Sequence, residues 1–106
     1  MHASALFAVA EAGSGLFLLQ SLGSIDGLVP LVRRVENRFR KPATGRVSAR
    51  AVVADADVAK WKADLARRGR TLPSVAIEVV DGPGQVVLTA TFDWFITKAG
   101  TENEKH

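Results

Sequence analysis

The residue most suited to chemistry is a single acid in the most apolar stretch of the chain. Glu11 is the only charged residue between Ala3 and Gln20, a segment rich in alanine and leucine. A carboxylate in such surroundings is expected to be partly desolvated, which suits it to accept a proton or to attack as a nucleophile. Three residues later, Ser14 falls on the same helical face, where its hydroxyl could position water or substrate.

The reactive side chains near Glu11 each have a structural interpretation as well. Ser4 could cap a helix instead of acting as a nucleophile, because no histidine base is evident beside it. His2 follows the initiator methionine, so it could equally be an ordinary terminal residue. Ser14 could simply ease helix packing, and Glu11 could pair with an arginine such as Arg33. The sequence leaves these alternatives open.

Composition narrows the classes of site. The 106 residues include no cysteine, and the two histidines stand at positions 2 and 106. A disulfide and a cysteine nucleophile are therefore excluded, and we predict no metal and no cofactor. Fourteen Lys and Arg against eleven Asp and Glu give a formal net charge of +3. That excess permits a polyanion or a phosphorylated small molecule as partner without requiring one.

The length predicts a single domain at residues 1–99, followed by a polar tail at 100–106 that we expect to be disordered. Residues 3–20 predict a helix that is apolar on every side and should be buried on every side. Its Gly13 and Gly15 suggest close approach of another backbone, such as a second copy of the helix. The polar residues within 3–22, and the lack of a preceding Lys or Arg, argue against a membrane span or signal peptide.

Four downstream segments alternate with a period of two, which predicts half-buried strands. A turn at Asp81–Gly84 should make the last two antiparallel neighbours. Residues 55–70 predict a surface helix with Asp55 or Asp57 as its cap and Gly69 as its stop. The whole predicts an α+β fold, a curved antiparallel sheet wrapped around one long central helix. The residues expected to share a face in each strand are Leu31, Arg33, Val35, Asn37 and Phe39; Val47, Ala49, Ala51 and Val53; Val75, Ile77 and Val79; and Val86, Leu88, Ala90, Phe92, Trp94 and Ile96.

The run from His2 to Glu11 resembles the central helix of the hotdog-fold acyl-CoA thioesterases, in which an acid follows nine positions after a histidine. The group that it resembles most is that of the phenylacetyl-CoA-pathway and hydroxybenzoyl-CoA thioesterases. Three later stretches are similar to strands of that family, the last of them containing the Asp-Gly turn and a tryptophan: Arg38–Pro42, Arg46–Ala54 and Ala76–Lys98.

Two departures from the family pattern accompany this resemblance. The first strand that normally precedes the helix is expected to be lacking. The glycines of the family's helix-opening turn are replaced by Ala3 and Ser4, which keep the backbone N–H groups but crowd a bound thioester.

The resemblance implies hydrolysis of an acyl-CoA thioester, with Glu11 as general base or nucleophile. The first turn of the helix, around His2, Ala3 and Ser4, would stabilise the oxyanion through its free N–H groups. In this family the donor turn of one subunit faces the acid of the other, so the site would lie across a dimer interface. The residues expected to bind substrate, including the phosphates of coenzyme A, are Ser14, Arg38, Arg40 and Lys41.

Other interpretations remain beside this one. The clusters Arg46 with Arg50, and Arg67 with Arg68 and Arg70, could hold a phosphate equally well, or all could be solvated surface. A hotdog protein that binds an acyl ligand without turnover is the second hypothesis. A basic interaction module is the third, although no aromatic residues interleave with the arginines for base stacking. We expect a cytoplasmic homodimer or dimer of dimers, with no nucleic-acid or membrane partner.

Overall fold

The computed structural model describes residues 3–23 and 27–99 of the chain. His2 and the predicted polar tail at 100–106 lie outside the described residues. The elements follow one another as α1 (Ala3–Leu22), β1 (Leu28–Phe39), β2 (Ser48–Ala51), α2 (Asp55–Arg68), β3 (Arg70–Thr71), β4 (Ser74–Val80) and β5 (Val86–Lys98).

The strands form one antiparallel sheet in the order β1-β5-β4-β2, and the short β3 pairs with β5 beyond the start of β4. The predicted hairpin between β4 and β5 is confirmed. Its turn is held by Asp81, whose carboxylate accepts the backbone N–H groups of Thr44, at 3.1 Å, and Gln85, at 2.9 Å. These bonds also fix the loop before β2 to the hairpin.

The core lies between α1 and the inner face of the sheet. The predicted inner residues of β4 are all buried, and most of those of β5 are buried with them. From α1, Leu6, Ala10 and Leu18 meet this layer at a spacing of one or two helical turns. Each large apolar side chain removed from water here contributes about 1.5–3 kcal/mol to stability.

The expectation that α1 is buried on every side is wrong for the single chain. The sheet covers one side of the helix, and Leu16 and Leu19 on the other side are 53% and 39% exposed. By length and composition alone, residues 4–22 could cross a membrane.

The two glycines of α1 differ in how closely other atoms approach them. A Cβ added to Gly13 would lie 2.6 Å from the Cβ of Ala49, whereas one added to Gly15 would meet nothing.

The predicted alternation of β1 holds only from Val35 onward. A bulge between Val32 and Arg34 breaks the register with β5. Since one extra residue reverses the side on which each later side chain lies, Leu31 falls on the outer face and Val32 on the inner face. The prediction that Leu31 and Arg33 share the face of Val35 is therefore wrong.

The predicted surface helix is confirmed as α2, but its N-cap differs from the prediction. Ala54 occupies the N-cap and makes no side-chain capping bond, while Asp55 and Asp57 lie in the first turn. From this position both carboxylates interact favourably with the positive end of the helix dipole. Gly69 ends the helix in the left-handed conformation, with φ 74°, and its N–H bonds to the carbonyl of Leu65.

The helix α2 is fixed to the rest of the fold through its two buried residues, Trp61 and Leu65. The Trp61 ring meets Phe17 of α1 edge-on, with ring centroids 6.4 Å apart. Just after α2, Thr71 donates a hydrogen bond to Asp64 at 3.3 Å. Strand β3 was not predicted, because two residues are too few to show an alternating pattern.

Candidate active site

The position of Glu11 follows from the strands that its neighbours on α1 meet. Ser14 faces β5, because its Oγ accepts the indole N–H of Trp94 at 2.8 Å. Gly13 faces β2, where Ala49 approaches it closely. At about 100° per residue, Glu11 lies about 60° from Ser14 and about 160° from Gly13 around the helix axis. Since the sheet order is β1-β5-β4-β2, Glu11 lies on the flank of α1 that faces β1.

The inner face of β1 beside this flank is largely uncovered. α1 packs over β2, β4 and β5, and on β1 the inner residues Val32 and Phe39 are 41% and 47% exposed. Trp94 lies opposite Val32 in the register and is half-buried. We call the exposed strip of the inner face of β1 and β5 beside α1, which includes Val32, Val35 and Trp94 and is flanked by Glu11, the α1–β1 groove. Val32, Val35 and Trp94 make its floor apolar, and the polar Asn37 follows Val35 on the same face of β1.

Glu11 itself is exposed in the single chain, so the expected desolvation is not observed there. The structural alternative for this residue was an ion pair with Arg33. Across residues 3–23 and 27–99 the ion pairs are Arg34 with Glu36 and Arg50 with Glu78, and none involves Glu11. The carboxylate is therefore open to water and to a ligand in the groove, as a general base must be.

The first turn of α1 is the place where the sequence predicts the oxyanion donors. The helix begins at Ala3, which places Ser4 within the first turn, where its side chain is exposed. Backbone N–H groups in the first turn of a helix lack intrahelical acceptors. Glu11 follows Ser4 by seven positions, which corresponds to about 10 Å along the axis at 1.5 Å per residue. Donor turn and acid of one chain are thus well separated, and His2 lies outside the described residues.

The predicted substrate-binding residues do not gather at Glu11. Ser14 is fully buried and its hydroxyl is engaged by Trp94. Arg38 lies opposite Thr89, on the outer face of the sheet and thus on the side away from α1. There, with Arg40 and Thr91, it lines a shallow depression of about 560 Å³. Lys41 is exposed just beyond β1.

A second cleft, of about 420 Å³, lies between α2 and the segment from β3 to the start of β4. Lys60, Arg68 and Arg70 line it, together with the acids Asp57 and Asp64. The two carboxylates offset part of the positive charge, which makes the cleft less suited to a phosphate than a cluster of cations alone. Within the described part of the chain, no group of three or more His, Asp or Glu side chains could hold a metal ion.

The side of α1 that faces away from the sheet is apolar and built mainly from small residues. It adjoins the flank that carries Glu11, and at Gly15 an added Cβ would meet open space. An exposed apolar surface of this kind is typical of an interface. The exposed residues on this side are Ala5, Ala8, Ala12, Leu16 and Leu19.

Sequence reasoning missed Val32 and Trp94 as parts of the site. The bulge in β1 hides Val32, because a regular alternation assigns it to the outer face. Trp94 was recognised as an inner residue of the last strand. Its contact with Ser14, however, joins positions 80 residues apart, a separation at which local periodicity carries no signal.

Comparison with known proteins agrees with this architecture. The family described as a domain of unknown function, DUF4442, matches residues 1–96. A protein of unknown function from Pseudomonas aeruginosa is described as a probable thioesterase. It matches this chain with a TM-score of 0.77 and 26% sequence identity, and the match covers 92% of this chain and 65% of that protein's chain. A Bacillus halodurans protein whose structure was solved with CoA matches with a TM-score of 0.61 and 18% sequence identity. This match covers 91% of this chain and 58% of that protein's chain.

This chain therefore spans less than two thirds of each of these two structures. No curated protein matches it. The two structural likenesses confirm the predicted α+β hotdog fold, and the likeness to the Pseudomonas aeruginosa protein relates the chain to the thioesterase-like superfamily.

Proposed function

Because the chain belongs to the DUF4442 family and has the hotdog fold, we propose that it hydrolyses the thioester bond of an acyl-CoA. The observation that carries this proposal is the exposed carboxylate of Glu11 beside the apolar floor of the α1–β1 groove. A probable thioesterase and a CoA-bound protein among the structural neighbours support the substrate class. The acyl group occupies the groove, and its thioester carbonyl lies beside Glu11.

Glu11 acts as the general base. Its carboxylate takes a proton from a water molecule as the water oxygen bonds to the carbonyl carbon, and the carbonyl electron pair moves onto oxygen. When this pair returns, the C–S bond breaks, and the departing thiolate takes up the proton to give free CoA thiol and the acid. The exposure of Glu11 supports this role over direct nucleophilic attack, because water has access to the carboxylate.

The developing oxyanion is stabilised by the first helical turn of a second copy of the chain. Within one chain the turn around Ala3 and Ser4, preceded by His2, is about 10 Å from Glu11 along the helix axis. A second copy that packs on the exposed side of α1 covers its apolar residues and brings another helix N-terminus to the groove. The site is thus completed in a homodimer, and two such dimers would form the tetramer.

The phosphates of coenzyme A bind to Arg38, Arg40 and Lys41. β1 is an edge strand, so a long ligand can leave the groove and pass around this edge to the outer face. Arg38 and Arg40 lie there beside the hydroxyl groups of Thr89 and Thr91. Guanidinium groups form charge-assisted, bidentate hydrogen bonds with phosphate, which makes them suitable anchors for the nucleotide end.

Hydrolysis of short, medium, long and aromatic acyl-CoA thioesters by the wild type and Glu11→Gln tests the proposal. The substitution removes the charge and keeps the size of the side chain. We expect kcat to fall by roughly 10²–10⁴-fold, as for loss of a general base. Glu78→Gln is the matched control, because Glu78 pairs with Arg50 on the outer face of the sheet. This control should keep the activity of the wild type.

Two results would count against the proposal. Equal activity of folded Glu11→Gln and wild type would remove Glu11 from the mechanism. Calorimetric binding of an acyl-CoA by a wild type that hydrolyses none of the panel would favour the second hypothesis, a protein that binds acyl-CoA without turnover.

Sedimentation of two lysine variants tests whether a second copy of the chain packs on the exposed side of α1 and completes the site. Leu16→Lys places a charge on the exposed side of α1, whereas Leu72→Lys alters a leucine exposed to a similar degree, 58% against 53%, between β3 and β4. We expect the first variant to dissociate and to lose hydrolysis, and the second to stay associated and active. A wild type that is active as a monomer would contradict the shared site.

A further inference from the structure

Trp94 is the largest side chain at the floor of the α1–β1 groove, and its ring is held in one orientation. The indole N–H donates to Ser14 Oγ at 2.8 Å, and Ser14 is fully buried in the contact between α1 and the sheet. A buried serine on a packed helix has little freedom to move, so the hydrogen bond anchors one edge of the indole. Trp94 as a whole is only half-buried, so part of its surface stays accessible.

The register places this ring next to the proposed reaction centre. Val32, its partner across β1 and β5, is 41% exposed because α1 does not cover β1. Glu11 lies on the same flank of α1, three residues before the serine that anchors Trp94. Along the helix that corresponds to about 4.5 Å at 1.5 Å per residue. The acyl group of a thioester whose carbonyl lies beside Glu11 can therefore reach Trp94 and Val32.

We propose that Trp94, positioned by Ser14, forms the floor of the acyl-binding site and selects an apolar acyl group of medium-chain or aromatic type. This inference rests on the proposed function, whose substrate class it specifies. The only polar atom of the indole is already bonded to Ser14, so the ring offers the groove an apolar surface and no hydrogen bond. With Val32 and Val35 beside it, the ring forms an apolar floor that favours binding of a hydrocarbon group. A short acyl group buries little apolar surface on this floor and is therefore bound less favourably.

Ser14 acts in this proposal as a positioning residue for Trp94. Its side chain is fully buried, and its hydroxyl accepts the indole N–H. The sequence left two interpretations of Ser14 open, a group that positions water or substrate and a small residue that eases helix packing.

Tryptophan fluorescence tests the proposal, because the chain has only two tryptophans, Trp61 and Trp94. Trp61→Phe leaves Trp94 as the sole reporter, and Trp94→Phe leaves Trp61, which contacts Phe17 on the α2 side of the fold. The titrants are non-hydrolysable thioether analogues of CoA with two-carbon, eight-carbon and phenyl-containing chains, and CoA itself. We expect the longer and aromatic analogues to change Trp94 emission, and CoA alone to leave it unchanged.

Comparison of the wild type with Trp94→Phe gives the same information if Trp61→Phe does not fold. The emission change of the wild type should then be absent from Trp94→Phe. In hydrolysis, the preference in kcat/KM for an eight-carbon over a two-carbon acyl group should fall by about tenfold or more in Trp94→Ala. The same preference should weaken in Ser14→Ala, which a purely structural role for Ser14 would not produce.

The outcomes separate this inference from the proposed function. Hydrolysis with unchanged acyl preference in Trp94→Ala, or tight binding of the eight-carbon analogue without a change in Trp94 emission, overturns the inference and leaves the thioesterase proposal intact. A protein that neither hydrolyses nor binds any of these ligands overturns both. Trp94 emission that follows protein concentration and not ligand would show that a second copy covers the ring, which also overturns the inference.

Discussion

Replacing Ser14 with alanine is expected to destabilise the fold by a magnitude that the structure allows us to estimate. The substitution removes the acceptor of the Trp94 indole N–H at 2.8 Å, in a position where Ser14 is fully buried. A donor left without a partner in such a place costs about 1–3 kcal/mol. Alanine recovers about 0.5 kcal/mol through its higher helix propensity. The net loss, about 0.5–2.5 kcal/mol, lowers the Tm by several degrees in a domain of this size.

A double-mutant cycle isolates the hydrogen bond from these other effects. The free energy of unfolding is measured by chemical denaturation for wild type, Ser14→Ala, Trp94→Phe and the double variant, at one protein concentration because association contributes to stability. We expect a coupling energy of about 1 kcal/mol between the two positions. Ser4→Ala, at an exposed position of the same helix, should change stability by no more than about 0.5 kcal/mol. A coupling energy near zero would refute the reasoning that Ser14 anchors Trp94.

Two further predictions concern contacts that hold the site in place. Gly13→Ala should lower the free energy of unfolding by about 1–3 kcal/mol through the clash with Ala49, whereas Gly15→Ala should not lower it within one chain, because its Cβ meets open space. Equal thermal stability of the two variants would contradict the close approach of β2. Asp81→Ala should cost about 1.5–3 kcal/mol, because two backbone N–H groups lose their acceptor; Asp81→Asn, which keeps one acceptor oxygen, should show a smaller loss by urea denaturation.

Local patterns determined most of the elements that surround the site. The alternation in β4 and β5, the Asp-Gly turn between them and the glycine that ends α2 were all recognised, because each depends on residues close together in sequence. The bulge in β1 was not recognised, because a single inserted residue does not change the composition of the strand. Its position depends on the register of β1 with β5. The N-cap of α2 was placed wrongly since two aspartates stand at its start, and the chain uses both in the first turn.

The candidate site divides in the same way between sequence and tertiary structure. The sequence by itself proposed Glu11 as the candidate acid, and it determined the apolar helix around Glu11 and the inner faces of β4 and β5, because residue type and spacing are sufficient for such inferences. Only the tertiary structure decided that the helix covers β2, β4 and β5 and leaves β1 open, and that the hydroxyl of Ser14 is bonded to Trp94. Those outcomes depend on where distant segments pack against one another. Helical and strand periodicities give the direction of a side chain relative to its own element, and packing decides what it meets there.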